Sequence, residues 1–357
     1  MGKRSWRWVV ALGLFAVLLV GWTPAARHVR AAQFLSRLSE PAPASAEIRT
    51  EDVSISGTSG NIRARLYFRA GAKPGPGIVV AHGVHYRGID ERRLVPFARA
   101  LAESGLTVLT PELSEIADYR ITRGGVGVIR DSVRYLASRR DRVSDQKVEL
   151  LGFSFAGGLS LVAAQDAETA RQLSSVTSVG GHHDLRRVLG FLIHDPKAHE
   201  YGLVVLLYGN LEHFVPAADV ETMRASLRAW LQEDRKKARE LARARTTPEA
   251  EKLWQLLEQQ QLQTLAPELD RLLEQQQVEL TALSSVGRLQ QLTMPVYLLH
   301  GSHDSVIPPS ETDAAARELT GAEHQALVSP LLEHVEVSKT ATLGDKLALV
   351  SFMAKLL

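Results

Sequence analysis

A serine in a small-residue turn is the strongest chemical signal in the sequence. The segment Gly152-Phe153-Ser154-Phe155-Ala156-Gly157 follows an apolar run and precedes a helical pattern. A sharp strand-to-helix turn that presents a serine needs small residues two positions before and after it, and Gly152 and Ala156 meet that need. The following helix points its amino end at Ser154, which favours negative charge developing there. The pattern predicts Ser154 as a nucleophile, against the alternative of a glycine-rich turn without chemistry.

A serine nucleophile needs a base that takes its proton and an acid that orients the base. The apolar run 295–299 leads into His300-Gly301-Ser302-His303-Asp304, which puts Asp304 past the carboxyl end of a predicted strand. Sites form at that edge of open parallel sheets. His334 comes thirty residues later, in a loop after the last predicted strand. We therefore predict Asp304 as the acid and His334 as the base.

Other residues remain alternatives for these two roles. Asp184 follows the sixth predicted strand and can also serve as the acid, in which case Asp304 only caps a helix. His324 is the rival base, although it lies at the amino end of its strand. His182 and His183 together with Asp184 suggest a metal site, but adjacent histidines on an extended segment point apart. We therefore predict no metal and interpret this segment as a turn.

Acyl transfer also needs two donors aimed at the developing oxyanion. The apolar run 78–81 ends in His82-Gly83-Val84, so the backbone N–H of Val84 can act together with that of Phe155. Neither role requires a particular side chain. We expect His82 to be structural and to form hydrogen bonds within its own loop.

Short apolar runs alternate with helical patterns after residue 48, which is typical of βαβ units and a mostly parallel sheet. The first two runs flank 57–60 and predict an opening hairpin. The predicted strands are 53–55, 62–68, 77–81, 106–109, 147–151, 175–179, 295–299 and 324–328. The helical patterns between and after them are 95–103, 130–139, 155–167, 310–319 and 343–357.

One long segment interrupts this alternation. No glycine occurs between Gly209 and Gly287, and the intervening residues are rich in Leu, Glu, Arg, Lys and Gln. We predict a helical cap over 186–291, inserted between two parts of a core at 48–185 and 292–357. The basic run 235–245 also contains acidic and apolar residues, so it is interpreted as a solvated helix face.

The amino terminus carries a membrane-targeting pattern. Lys3, Arg4 and Arg7 precede an apolar run over 8–22. That run predicts a membrane anchor or signal segment within 1–30, followed by a linker over 31–47. We expect the folded domain outside the cytoplasm, either tethered to the membrane or secreted after cleavage.

Composition excludes several functions. The chain has no cysteine, so disulfides, thiolate metal sites and a cysteine nucleophile are impossible. Its 42 basic and 40 acidic residues are interspersed and give a formal charge of +2, which does not favour nucleic acid as a partner.

The order of strand-His-Gly, Gly152-x-Ser154-x-Ala156-Gly157, Gly301-x-x-Asp304 and a late His334 resembles the α/β-hydrolase superfamily. The resemblance covers about 48–357, and Ala156 departs from it where glycine is commoner. It implies an α/β fold with a mostly parallel eight-stranded sheet and an inserted helical cap. It also implies hydrolysis of a small-molecule or lipid-like ester through an acyl-enzyme, without a cofactor.

Two alternative functions remain consistent with the sequence. An acyltransferase or a thioesterase would use the same triad. A membrane-tethered binding module without catalysis is the alternative from another class of protein.

Overall fold

The computed structural model describes residues 25–38, 47–333, 336–337 and 342–357. Within these residues, eight strands form one sheet in the order β1-β2-β4-β3-β5-β6-β7-β8. The strands are β1 (Ile48–Gly57), β2 (Gly60–Arg69), β3 (Gly75–Ala81), β4 (Thr107–Pro111), β5 (Val143–Phe153), β6 (Leu173–Val179), β7 (Val296–Gly301) and β8 (His324–Ser329). Two short strands, β9 (Leu332–Glu333) and β10 (Glu336–Val337), pair with each other.

The sheet is mostly parallel, as the sequence predicts. β2 pairs antiparallel with β1 and β4, and the remaining pairings are parallel. Helices cover both faces, so strands such as β4 and β7 are buried along their whole length. The register places Ala81 beside Gly152 and Gly152 beside Ser178. The carboxyl ends of β3, β5 and β6 therefore meet at one edge of the sheet.

The helices divide between the two faces of the sheet. Residues of α1 (25–38), α2 and α15 pack on one face, and residues of α4, α5 and the segment between β6 and β7 pack on the other. The helices outside that segment are α1, α2 (Leu94–Glu103), α3 (Ser114–Ala117), α4 (Arg123–Ser138), α5 (Phe155–Ala163), α6 (Ala167–Arg171), α14 (Ser310–Glu318) and α15 (Leu343–Met353). The helix predicted over 155–167 ends earlier because the Asp166 side chain accepts the Thr169 N–H and begins α6.

The segment between β6 and β7 is helical, which confirms the predicted helical insertion. Its helices are α7 (Leu185–His194), α8 (Glu200–Gly209), α9 (Ala217–Leu231), α10 (Arg235–Ala242), α11 (Pro248–Glu258), α12 (Ala266–Gln275) and α13 (Gln277–Ala282). Thr247 caps α11 by accepting the Ala250 N–H, and Pro248 occupies its first turn. The leucines of α12 and α13 join the core under this face of the sheet.

Residues 31–38 are not the linker that the sequence predicts. They form the second half of α1 and pack on the sheet, where Ala31 and Phe34 are completely buried. The Phe34 ring meets the edge of Phe97 on α2 at a centroid distance of 5.4 Å. Leu35 and Leu38 continue the same face at helical spacing. The small, polar and proline-containing composition of 31–47 as a whole conceals this short amphipathic face.

The predicted apolar run over 8–22 and residues 39–46 of the predicted linker lie outside the described residues. Among the residues that the structure describes, no helix is both long and apolar enough to cross a bilayer.

Glu149 of β5 is an ionisable group on the face that α1 covers. Its Oε2 atom is buried and has no hydrogen-bond partner among the described residues. Burial raises the pKa of Glu149 to about 8, although Arg27 of α1 acts to lower it. Because this pKa is raised on folding from 4.5, the carboxyl stabilises the fold most below about pH 4.5. That contribution is lost as the pH rises to 8.

Glu149→Gln is expected to raise the free energy of unfolding by up to about 5 kcal/mol at pH 9 and by little at pH 4, because glutamine resembles the protonated acid. Urea unfolding at both pH values measures the difference. Asp145→Asn, at an exposed position of the same strand, is the control and should show no such pH dependence. An equal effect of Glu149→Gln at both pH values would contradict the argument.

Candidate active site

Ser154 lies between β5 and α5 in a strained backbone conformation. Its φ of 54° and ψ of −134° fall in a region that L residues rarely adopt. Its N–H donates to the carbonyl of Val179 at 2.8 Å, which fixes the turn to the end of β6. Only 4% of the residue is exposed. A serine is thus held in a sharp strand-to-helix turn at the carboxyl edge of the sheet.

Small residues around Ser154 permit this turn. A Cβ atom at Gly152 would lie 2.4 Å from the carbonyl oxygen of Ala156. One at Gly157 would lie 2.7 Å from Ser178 Oγ and 2.9 Å from the carbonyl oxygen of Gly152. Both contacts are too close for any side chain. Ala156, where the superfamily more often has glycine, is completely buried in the first turn of α5.

The loop after β3 packs directly against Ser154. A Cβ atom at Gly83 would lie 3.2 Å from Ser154 Cβ. Val84 follows in this loop, and Phe155 begins α5 on the other side of the serine. Among the described residues, no backbone hydrogen bond outside the helices and strands uses the N–H of Val84 or Phe155, and Phe155 is the first residue of α5, whose N–H has no partner within the helix. Both therefore keep the donor that the sequence assigns to an oxyanion hole.

His82 orients the peptide group that carries the Val84 N–H. The N–H of Leu113 donates to His82 Nε2 at 3.0 Å, so the ring proton is on Nδ1. Nδ1 in turn donates to the carbonyl of Gly83 at 2.8 Å. Burial lowers the pKa of His82, which keeps the ring neutral. Because the Gly83 carbonyl and the Val84 N–H belong to one peptide group, this bond fixes the direction of that N–H.

His82→Ala is expected to lower kcat for ester hydrolysis about tenfold to a hundredfold with little change in KM, since a misdirected donor stabilises the oxyanion less. Steady-state kinetics measure this split. His85→Ala, in the same loop, serves as the control and should stay within about threefold of wild type. An increase in KM alone would mean that His82 affects substrate binding instead.

Asp304 lies in the loop after β7, and only 5% of it is exposed. Its Oδ1 accepts the N–H groups of Val306 at 2.8 Å and Ile307 at 2.9 Å. Its Oδ2 lies 3.3 Å from His300 Nε2. Backbone donors thus hold the carboxylate in one orientation at the carboxyl edge of the sheet, where the sequence predicts the acid.

His300 is a buried residue of this loop whose role the sequence reasoning missed. Its Nδ1 is 2.8 Å from Thr312 Oγ1, and its Nε2 is 2.8 Å from the carbonyl of Ile307. The ring therefore ties the end of β7 to both the Asp304 loop and α14. The sequence signal for this role is the position of His300 at the end of an apolar strand.

The rival acid, Asp184, is engaged at a helix terminus. Its side chain accepts the Arg187 N–H at 3.2 Å and caps α7. Its own N–H and that of His183 donate to the completely buried Glu311 of α14. These contacts give Asp184 a structural role.

The rival base, His324, lies at the wrong edge of the sheet. It begins β8 and pairs with Val296 at the start of β7, whereas Ser329 pairs with Gly301 at the end of β7. Five residues of strand correspond to about 17 Å, so His324 is far from the Asp304 loop. His334 itself is outside the described residues. The chain nevertheless reaches the correct edge at Ser329, whose carbonyl accepts the Ser302 N–H at 3.0 Å.

His182 and His183 have different partners. His182 Nε2 is 2.9 Å from the carbonyl of Leu283. His183 Nδ1 is 2.8 Å from Ser285 Oγ, and its Nε2 is 3.1 Å from Glu318 Oε2. Burial lowers the pKa of both rings, so they remain neutral. These bonds connect the loop after β6 to the end of the insertion, and the described residues contain no metal-binding cluster of three or more His, Asp or Glu.

The insertion contacts the Asp304 loop and the Val84 loop through α8. The N–H of His199, which precedes α8, donates to the carbonyl of Ser305 at 2.8 Å. The hydroxyl of Tyr201 donates to the carbonyl of Val84 at 3.4 Å. The first turn of α8 therefore lies between the Asp304 loop and the Val84 loop.

Residues 96–330, about two thirds of the chain, match the alpha/beta hydrolase fold family. The chain belongs to this family. The match includes Ser154 and Asp304 together with the whole helical insertion. No curated protein matches the chain.

Several α/β hydrolases of known structure share the fold at low sequence identity. Acetyl xylan esterase from Paenibacillus sp. R4 is 13% identical, with a TM-score of 0.50 over 92% of this chain and 93% of its own. The Pyrobaculum calidifontis esterase is 17% identical, with a TM-score of 0.49 over 97% and 95%. Brefeldin A esterase, a bacterial homologue of human hormone sensitive lipase, is 14% identical, with a TM-score of 0.49 over 94% and 87%. These similarities concern the fold.

Proposed function

We propose that this α/β hydrolase cleaves a carboxylic ester through an acyl-enzyme formed on Ser154. The observation that carries the proposal is the strained serine at φ 54°, held between a buried strand and a helix and packed against Gly83. Strain of this kind persists only where the surroundings enforce it, and it concentrates at functional sites. The ester-cleaving neighbours of the same fold are consistent with this choice of reaction.

The proposed reaction assigns one role to each of the predicted site residues. His334 takes the proton of Ser154 Oγ as the oxygen attacks the ester carbonyl. The N–H groups of Val84 and Phe155 stabilise the oxyanion, and Asp304 orients His334. As the carbon–oxygen bond breaks, His334 returns the proton to the leaving alcohol. Water then attacks the acyl-enzyme by the same route, releasing the acid and restoring Ser154.

Labelling by a fluorophosphonate probe tests the proposal directly, because the probe reacts with an activated serine. Labelling that disappears in Ser154→Ala and on heat denaturation supports an enzyme. No labelling of the folded wild type would favour the binding module without catalysis. A panel of oxygen esters, thioesters and alcohol acceptors then distinguishes an esterase from a thioesterase or an acyltransferase.

Asp304→Asn is expected to lower kcat about 10³-fold to 10⁴-fold, because the amide favours the wrong tautomer of the base. Asp184→Asn is the matched change at the rival position and should cost less than tenfold in kcat, with a small loss of stability from the weakened cap of α7. Kinetics and thermal melting of both variants measure these effects. The reverse order of activities would move the acid to the loop after β6.

A further inference from the structure

A second concave site lies away from Ser154, where the core meets the end of the insertion. It is a cleft of about 500 Å³ between α4, the carboxyl end of α5 and the chain that returns from α13 to β7. Its polar lining residues are Arg123, Arg130, Gln165, Asp166, Arg288 and Gln291. Because α5 runs from Ser154 toward the cleft, the two sites are about 15 Å apart.

The cleft is cationic, since three arginines face one aspartate in its lining. Arg123 Nε lies 2.7 Å from Glu279 Oε2, outside the lining. Arg130 Nη2 is 3.8 Å from Asp166 Oδ2, which is a long ion pair. The other oxygen of Asp166 accepts the Thr169 N–H at 3.0 Å and is engaged as a helix cap. The positive charge of Arg130 is therefore weakly compensated.

Two side chains of the cleft contain buried polar atoms that the protein does not satisfy. Arg130 Nε and both amide atoms of Gln165, Oε1 and Nε2, have no hydrogen-bond partner among the described residues. Buried polar atoms of folded proteins nearly always have a partner in the protein, in water or in a ligand. Three such atoms lie on two residues of this one cleft, so water or a bound group must supply their partners.

We propose that this cleft binds a phosphate group, either as inorganic phosphate or as a small phosphate monoester. A guanidinium matches two phosphate oxygens with two N–H donors, and among the described ion pairs the Arg130 guanidinium has only the long contact with Asp166 at 3.8 Å. Gln165 needs an acceptor for its N–H and a donor for its oxygen, and a singly protonated phosphate offers both. The cleft is larger than one phosphate, which leaves space for the organic part of a monoester.

The site is separate from ester hydrolysis and does not depend on Ser154. A ligand there would contact both the core, through Arg130, and the returning chain, through Arg288. Arg288 is held by the carbonyls of Thr281 and Ser284 at the end of the insertion. Binding would thus join the end of the insertion to the core.

Isothermal titration of the full chain with inorganic phosphate and with glycerol 3-phosphate, at neutral pH and low ionic strength, tests the proposal. We expect both probes to bind, and Arg130→Ala and Gln165→Leu each to raise Kd at least tenfold. Arg134→Ala removes the same charge one turn further along α4, where Arg134 pairs with Asp131 and Glu168, and should leave Kd within about twofold. Arg130→Lys keeps the charge and should still raise Kd, because it loses the two-donor fork.

A lower Kd for glycerol 3-phosphate than for phosphate would support a monoester as the ligand, and equal values would support free phosphate. Absence of binding by both probes would overturn the proposal. It would also be overturned if Arg134→Ala weakened binding as much as Arg130→Ala, because the effect would then be general electrostatics. If Arg130→Ala does not fold, the Kd of Gln165→Leu tests the proposal on its own.

Discussion

Ser154→Ala is expected to lower kcat for ester hydrolysis by at least about 10⁴-fold while leaving the circular dichroism spectrum and the melting temperature unchanged. The substitution removes only the attacking Oγ. Alanine at this position keeps the Cβ contact with Gly83 and must adopt the same positive φ, so the folded structure should persist. Hydrolysis at saturating substrate and a thermal melt measure the two quantities.

Ser160→Ala is the matched control for this change. Ser160 is a buried serine of the same helix, and its Oγ donates to the Ala156 carbonyl at 2.8 Å. It should alter kcat by less than about threefold, because its hydroxyl does not reach the reacting atoms. If Ser154→Ala kept more than a tenth of the activity of the wild type, another residue would be the nucleophile.

The turn at Ser154 could be predicted from the sequence because its requirements are local. A positive φ at a serine needs small neighbours. Gly152 and Gly157 meet this need, because a side chain at either position would collide with the backbone or with Ser178. The strands could be predicted for a similar reason, since a parallel sheet covered on both faces produces continuous apolar runs. These features depend on the residues within one short segment.

Contacts between distant segments could not be predicted. The second half of α1, residues 31–38, is specified by four apolar positions that matter only against α2 and the sheet, and this part of the helix was predicted as a linker. The buried Glu311 is another case. It lies in the first turn of α14 like an ordinary acidic residue there, yet it accepts two N–H groups from the loop after β6, more than 120 residues away. The periodicity of apolar residues describes only local structure, so it cannot predict a hydrogen bond between segments that are far apart in the sequence.

The position of the catalytic base is the part of the site on which the fold places the strongest constraint. The base must reach Ser154 and Asp304, which both lie at the carboxyl edge of the sheet. β8 runs parallel to β7, so within β8 the chain reaches that edge at Ser329, and His324 is at the opposite edge. His334 follows Ser329 by five residues, whereas His324 begins the strand at the opposite edge.

His334→Ala is therefore expected to match Ser154→Ala, with kcat lowered by at least about 10⁴-fold, while His324→Ala remains within about threefold of wild type. Because the base acts in its neutral form, kcat/KM of the wild type should fall as the pH drops through about 6.5. The residual activity of His334→Ala should lack this dependence. Kinetics of both variants between pH 5 and 8 (about the range in which histidine titrates) measure the effect. If His334→Ala kept the pH profile of the wild type, or if His324→Ala lost most of the activity, the base would be a residue other than His334. Histidine is the residue type to test because no other side chain titrates in that range without a shifted pKa.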